Sequence, residues 1–132
     1  MKAVCAWGAA AICGLLHAGA AAAGAAISFE REVAPIFKQH CVACHMSGQE
    51  QGGLALAPRL AYASLVDVPS RESPLQRVKP GAPEASYLVR KLDGTHQEAG
   101  GSGVQMPMGG QALDAGLRDT VRRWIAEGAV RD

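Results

Sequence analysis

The sequence predicts an all-α domain of about three to five short helices joined by long loops. Apolar residues recur at helical spacing near both ends of residues 27–132. No stretch alternates apolar and polar residues over the length that a strand needs. The 16 glycines and 7 prolines of the chain predict irregular segments between the helices.

The first helix is predicted to begin after Ser28, whose side chain can cap the N-terminal turn. Its apolar face consists of Phe29, Val33, Ile36 and Phe37. Pro35 has no amide hydrogen and would break the middle of an ideal helix, so we expect a kink or a restart there.

The last helix is predicted to begin with Asp114 as its N-cap and to end at Gly128. Its apolar stripe consists of Leu117, Val121, Trp124 and Ile125. Between the terminal helices we expect a brief helix over residues 61–66. A longer helix is expected over residues 83–92, with proline in its first turn and Gly94 at its end.

Residues 1–26 have the layout of a cleaved signal peptide. Lys2 is the only charged residue before Glu30, an apolar stretch covers residues 9–16, and small residues follow it. The alternative is an uncleaved membrane anchor, since the uncharged run is long enough to span a bilayer. We expect cleavage and export, which places the domain formed by residues 27–132 in a bacterial periplasm, with membrane contact only if the segment stays attached.

The composition of the mature chain limits the classes of partner that we expect it to bind. Removing residues 1–26 from the 132 leaves 106 residues with 12 basic and 12 acidic side chains. A nucleic-acid-binding protein usually has a basic excess or a basic cluster, so nucleic acid is not an expected partner. Cys41 and Cys44 are the two cysteines that remain, and a bridge between them would close too small a loop to stabilise a fold.

The segment Cys41–His45, with the sequence CVACH, has the spacing of a covalent attachment site for c-type haem. The two thiols lie about one helical turn apart and can add to the two vinyl groups of one porphyrin edge. His45 then reaches the iron as the proximal ligand. We therefore expect one haem c, attached through Cys41 and Cys44.

Two other interpretations of this segment have less support in the sequence. A thioredoxin-type redox pair needs a strand-to-helix context, which the sequence does not offer. A structural zinc site needs two more ligands, and His40 and His96 have no matching spacing.

The sixth iron position has several candidates. The glycine-bounded loop over residues 100–110 contains Met106 and Met108, one on each side of Pro107. Methionines that fill a core usually lie on a periodic apolar face, and these two do not. Pro107 restricts Met106 to extended geometry, which lets the backbone run along a haem face. The sequence favours Met106 and leaves Met108, His96 and an open site as alternatives.

Other segments accompany the haem motif along residues 28–130. They are Phe29–Phe37, Gly52–Leu54, Pro80–Leu88, the pair Met106-Pro107, and Trp124-Ile125 ahead of Gly128. Together with CVACH, this set resembles the class I-like monohaem c-type cytochromes and, more narrowly, the planctomycete-type periplasmic cytochrome c domain. The resemblance implies a cytochrome c-like fold wrapped around one covalent haem, terminal helices packed across each other, and iron ligation by His45 and Met106.

Single-electron transfer is the function that these residues predict. A thioether ligand favours ferrous iron, and an occupied sixth position suppresses oxygen chemistry. We therefore expect an electron carrier and not an enzyme. It would exchange electrons with transient redox proteins at the haem edge near Cys41–His45, without strong steering by its neutral net charge.

Two alternatives belong to other classes. A haem sensor or a peroxidase-like domain needs a labile sixth site and a distal polar group, for which His96 and Arg90 are the candidates. The chain could also be the electron-transfer subunit of a larger exported oxidoreductase.

Polar residues around the motif have expected roles as well. The Pro58 carbonyl can accept a hydrogen bond from the His45 ring. Four basic residues can contact haem propionates, although as a group they are typical of a solvated face: Arg59, Arg71, Arg77 and Lys79.

Overall fold

A computed structural model of the protein describes residues 24–132. The expected signal peptide therefore lies almost wholly outside the described residues. Four α-helices are present, namely α1 (Ala34–His40), α2 (Ala61–Leu65), α3 (Tyr87–Asp93) and α4 (Ala115–Ala126). Short helical turns of other types lie at Phe29–Val33, Gln51–Gly53, Pro83–Ala85 and His96–Ala99.

The predicted all-α class is confirmed. Residues 24–132 form no sheet, and extended segments meet only in isolated bridges such as the one between Val66 and Val78. None of the helices in this part of the chain has the length and apolar character needed to cross a bilayer.

The first helical segment begins at Ser28, as predicted. Ser28 Oγ accepts a hydrogen bond from the Arg31 amide at 3.1 Å, and the Ser28 amide donates to a Glu32 carboxylate oxygen at 2.8 Å. This reciprocal cap satisfies donors that a helix start leaves free. The segment has π-helical geometry up to Val33 and continues as α1 with Pro35 in its first turn, so the expected restart is confirmed.

Helix α4 also has the predicted ends. Asp114 Oδ1 accepts a hydrogen bond from the Gly116 amide at 2.8 Å, which caps the first turn. The helix ends at Ala126, two residues before Gly128. The apolar stripe faces inward, and Val121, Trp124 and Ile125 are fully buried.

The terminal helical segments meet in an aromatic cluster. The ring centroid of Phe29 lies 5.1 Å from that of Trp124 and 5.3 Å from that of Tyr62. The Trp124 indole N–H donates to the Val130 carbonyl at 3.0 Å, and the Tyr62 hydroxyl donates to the Ala129 carbonyl at 3.0 Å. Residues 129–130, which follow α4, are thus hydrogen-bonded to the same aromatic cluster.

The expected helix over residues 83–92 is wrong in one respect, because Ser86 interrupts it with extended backbone. The Ser86 hydroxyl donates to the Ala82 carbonyl and accepts from the Lys79 amide, both at 2.9 Å. The Tyr87 amide donates to the Gln76 carbonyl at 2.8 Å and not to the preceding turn. These contacts compete with a continuous helix, so α3 starts only after Ser86.

Ion pairs fix α3 against α4. Arg118 of α4 lies 2.8 Å from the Asp93 carboxylate at the end of α3, and Arg122 pairs with the same carboxylate. Gly94 then ends α3 with a φ of 77°, as predicted. Other residues of α3, including Leu88 and Lys91, line the cavity described next.

Candidate functional site

A cavity of about 580 Å³ lies among the turn after α1, helix α3 and the loop over residues 100–110. Its volume is in the range of small-molecule and cofactor sites, and its wall is largely apolar. The predicted site residues in the wall are His40, Cys41, Cys44, His45, Arg77, Met106 and Met108. The fold therefore brings the CVACH segment and the methionine loop to one cavity.

The CVACH segment forms a helical turn that continues α1. The Cys41 amide donates to the Phe37 carbonyl at 2.9 Å. The Cys44 and His45 amides both donate to the Cys41 carbonyl, at 3.1 and 3.0 Å. The two cysteines thus lie about one turn apart, neither forms a disulfide, and Cys44 is exposed.

The environment of the Cys41 thiol does not favour its thiolate form. Burial, with a smaller contribution from Cys44, raises the pKa of the Cys41 thiol to about 11. Redox-active Cys-x-x-Cys motifs instead lower the pKa of their reactive thiol. Within residues 24–132, no three His, Cys, Asp or Glu side chains gather closely enough to hold a metal ion by themselves.

The His45 ring lies in the cavity wall, and its Nδ1 atom is buried without a hydrogen-bond partner among the described residues. The Pro58 carbonyl, which the sequence suggested as acceptor, does not bind it. The backbone of His45 is held instead, since its carbonyl accepts from the Leu56 amide at 2.7 Å. This bond also brings Leu56 into the cavity wall.

Lys91 of α3 holds the loop over residues 100–110. Its Nζ atom donates to the Ser102 carbonyl at 3.1 Å and to the Val104 carbonyl at 2.5 Å. Its own carbonyl accepts a hydrogen bond from the Met106 amide at 3.0 Å. One residue thus holds the loop at three points, including the residue that carries the favoured thioether.

His96 contributes to the loop and not to the cavity wall. The ring is buried, and Nε2 lies 3.1 Å from the Gly103 carbonyl, which can only accept, so Nε2 carries the hydrogen. The Gly101 amide donates to the His96 carbonyl at 2.8 Å. Arg90, the other candidate for a distal polar group, is also outside the wall and donates to the Glu84 carbonyl at 3.0 Å.

The two methionines of the loop differ in burial. Both line the cavity, but Met106 is partly buried and packs against the hydrophobic core. Met108 is 68% exposed. The geometry therefore favours Met106 over Met108 as the thioether that faces a bound group.

Two buried cations, Arg77 and Lys91, lie in the cavity wall. The Arg77 guanidinium donates to the carbonyls of Ser64 at 2.7 Å, Gly52 at 2.8 Å and Gly53 at 3.0 Å. Neither cation forms an ion pair with a carboxylate within residues 24–132. Burial is the main cause that lowers the pKa of each group. The Glu72 carboxylate lies in the same wall and opposes this effect on the pKa of Lys91. The two cations outnumber this one carboxylate in the wall, which suits an anionic group.

The sequence identified one of these cations and missed the other. Of the four basic residues expected near propionates, Arg77 lines this cavity, whereas Arg71 lines a neighbouring open cleft. Lys91 was missed, although its position four residues after Tyr87 places it on the inward face of α3 beside Leu92. Its helical spacing from Tyr87 is the feature of the sequence that could have identified Lys91 as a residue of the cavity wall.

The fold and the cavity define a small all-α domain that presents two thiols, an imidazole and two thioethers to one largely apolar space. Comparison of the chain with protein families, curated proteins and solved structures gives no match.

Proposed function

We propose that residues 27–132 form a monohaem c-type cytochrome domain that carries single electrons. One observation carries this proposal. Cys41, Cys44 and His45 line the same apolar cavity as Met106, although the loop with Met106 is distant in sequence. A large flat cofactor such as haem would make use of all four side chains in one space.

The residues present fit haem. The cavity has a cofactor-sized volume and apolar walls formed in part by Leu56, Leu88 and Leu92. Arg77 and Lys91 supply two buried positive charges, which match the two propionate carboxylates of haem. Cys41 and Cys44 would hold the porphyrin covalently, with His45 as proximal ligand and Met106, or alternatively Met108, as sixth ligand.

Haem supplies reversible one-electron chemistry at its iron when it is bound. The chain supplies the surroundings that select this chemistry. A thioether at the sixth position favours ferrous iron and excludes small ligands. The apolar wall keeps water away, and the two cations favour the state with less positive charge at the iron.

The proposal also covers how the helices are arranged around the haem and where in the cell the domain acts. The helices and loops would wrap around the haem in a cytochrome c-like arrangement, and the domain would act in the periplasm after export. Cys44 is exposed, so the porphyrin edge attached there would be accessible to transient redox partner proteins. The balanced charge of residues 27–132 means that such partners recognise local contacts more than a long-range field.

An electron carrier is better supported than a sensor or a peroxidase-like domain. Those functions need a distal polar group, and neither His96 nor Arg90 lines the cavity. Electron transfer within a larger oxidoreductase uses the same site and remains the second form of the proposal.

Absorption spectroscopy of the exported, haem-loaded protein tests this function. Ferric and ferrous spectra are recorded with and without carbon monoxide for the wild type, Met106→Leu and Met108→Leu. We expect a six-coordinate low-spin wild type that does not bind carbon monoxide. The Met–iron charge-transfer band should be lost in Met106→Leu and kept in Met108→Leu.

Other outcomes change the proposal in defined ways. A high-spin wild type, or one that binds carbon monoxide readily, would replace the carrier with a sensor or catalytic function. Loss of the band only in Met108→Leu would keep the carrier and move the ligand. A purified protein without covalent haem would refute both the electron carrier and the sensor or catalytic function.

A further inference from the structure

The backbone nitrogen of Ile27 lies 2.7 Å from Oε2 of Glu127, the residue that follows α4. Ile27 is partly buried and packs against the hydrophobic core. The three residues before it, Gly24, Ala25 and Ala26, are exposed. The packed part of the described chain therefore begins at Ile27, and its first backbone nitrogen points at a carboxylate.

We propose that proteolytic processing cuts the bond between Ala26 and Ile27, and that the new α-ammonium group of Ile27 binds the Glu127 carboxylate. Water adds across the peptide bond, so Ala26 leaves with a carboxylate and Ile27 keeps the amino group, which is protonated at neutral pH. A neutral amide donor thereby becomes a charged one, and the contact with Glu127 gains the attraction between two opposite charges. This inference rests on the proposed export and not on the proposed haem chemistry.

The geometry distinguishes between two possible cuts. A cut after Ala26 has the small residues Gly24 and Ala26 at the positions that signal cleavage requires, and a cut after Ala25 would satisfy the same rule. Only the cut after Ala26 places the ammonium on the nitrogen that already lies beside Glu127.

The charges around Ile27 favour a cation at this point. The Ser28 and Glu30 amides are also bound by carboxylates, since Ser28 donates to Glu32 at 2.8 Å and Glu30 donates to Asp132 at 3.2 Å. Arg31 pairs with Asp132 at 3.5 Å. Arg123 is the basic group beside Glu127, with its guanidinium 3.6 Å from Oε1. That contact leaves Oε2, the atom that faces Ile27, to the new ammonium.

The first test is the N-terminus of the exported protein. The full chain is expressed with its own leader and a haem-maturation system, and the purified product is analysed by N-terminal sequencing and intact mass. We expect Ile27 as the first residue. A chain that begins elsewhere, or that keeps residues 1–26, overturns the inference. Haem content and spectra of the same sample report separately on the proposed function.

The second test measures the ion pair. Glu127→Gln is compared with Glu98→Gln, an exposed carboxylate without a hydrogen bond or ion pair in the described chain. Each is prepared in a form that begins at Ile27 and in a form that a different leader leaves beginning at Gly24. In the Ile27 form, Glu127→Gln should lower Tm by about 1–5 °C, and Glu98→Gln should leave it unchanged.

The form that begins at Gly24 supplies the contrast. Its Ile27 nitrogen is still an amide, so the loss of Tm from Glu127→Gln should be less than half as large. Equal losses in both forms would show a neutral hydrogen bond and refute the ion pair. No loss in the Ile27 form would refute it as well.

Discussion

The CVACH turn and the loop over residues 100–110 line the same cavity but are held in opposite ways. The turn is built by its own backbone, since the amides of Cys41, Cys44 and His45 all donate within residues 37–45, and one further bond joins the His45 carbonyl to the Leu56 amide. The loop is held from outside, by Lys91 and His96 of the preceding helical segments. The turn thus leaves its thiols and imidazole free for a ligand, whereas the loop depends on side chains that a single substitution can remove.

The largest expected effect comes from the turn. Cys41→Ala combined with Cys44→Ala should abolish covalent haem attachment, because no other cysteine lies in residues 27–132. Haem staining after denaturing electrophoresis measures this loss. Ala43→Ser, an exposed position in the same turn, is the control and should keep attached haem. Retention of covalent haem in the double variant would show that attachment does not use these thiols.

Lys91→Met removes the side-chain clamp from the loop while keeping an unbranched apolar stem. Each lost charged hydrogen bond is worth roughly 1.5–3 kcal/mol, so binding of imidazole to the ferric protein should increase roughly tenfold or more. Lys79→Met, at an exposed lysine, is the control. Unchanged imidazole binding in Lys91→Met would show that the loop does not depend on this clamp.

Gly101→Ala tests the close approach between the loop and α3. A Cβ atom at Gly101 would lie 2.5 Å from a ring carbon and from the hydroxyl oxygen of Tyr87, and 2.7 Å from the His96 carbonyl oxygen. The backbone must shift, at a cost of roughly 1–3 kcal/mol in unfolding free energy measured by denaturant titration. Gly110→Ala is the matched control, since a Cβ atom there meets nothing within 4 Å. Equal stability of the two variants would contradict the packing described for Gly101.

The smallest expected effect is a pH dependence of the hydrogen bonds that Glu50 accepts from Ser47 and Gly48, just after the CVACH turn. Hydrogen bonds from the Ser47 hydroxyl and from the Ser47 and Gly48 amides lower the pKa of Glu50 from 4.5 to about 2. A lowered pKa stabilises the fold above the ordinary value, and this contribution is lost as the pH falls from about 4.5 to about 2. The protection factor of the Gly48 amide, which compares its exchange rate with that of an unfolded peptide at the same pH, should fall over that range in the wild type. Glu50→Gln should lack this dependence, and an identical profile in the variant would contradict it.

The difference between the two regions also explains what the sequence could predict. The CVACH turn, the Ser28 and Asp114 caps and the apolar stripe around Trp124 depend on neighbours within a few residues, and all were predicted. The interruption at Ser86 was not, because its cause is hydrogen bonding to Gln76 and Lys79 across a loop.

Lys91 and His96 show the same limit at the site. Spacing alone makes Lys91 an inward residue of α3, but its bonds to Ser102 and Val104 depend on how a glycine-rich loop folds back. His96 was considered as a ligand because histidine binds iron, whereas the fold directs its ring to Gly103. Such long-range contacts have no local signature in a sequence.

The local character of the CVACH turn has a consequence for biogenesis. The amides of Cys41, Cys44 and His45 donate only to carbonyls within residues 37–45, so forming the turn costs little loop-closure entropy. Bringing Met106 to the same cavity requires closing the long chain between residues 45 and 106. The thiols can therefore reach their spacing while the rest of the chain is still unfolded. A maturation enzyme would need to recognise only a short helical peptide, and the porphyrin would then serve as the template on which the later residues fold.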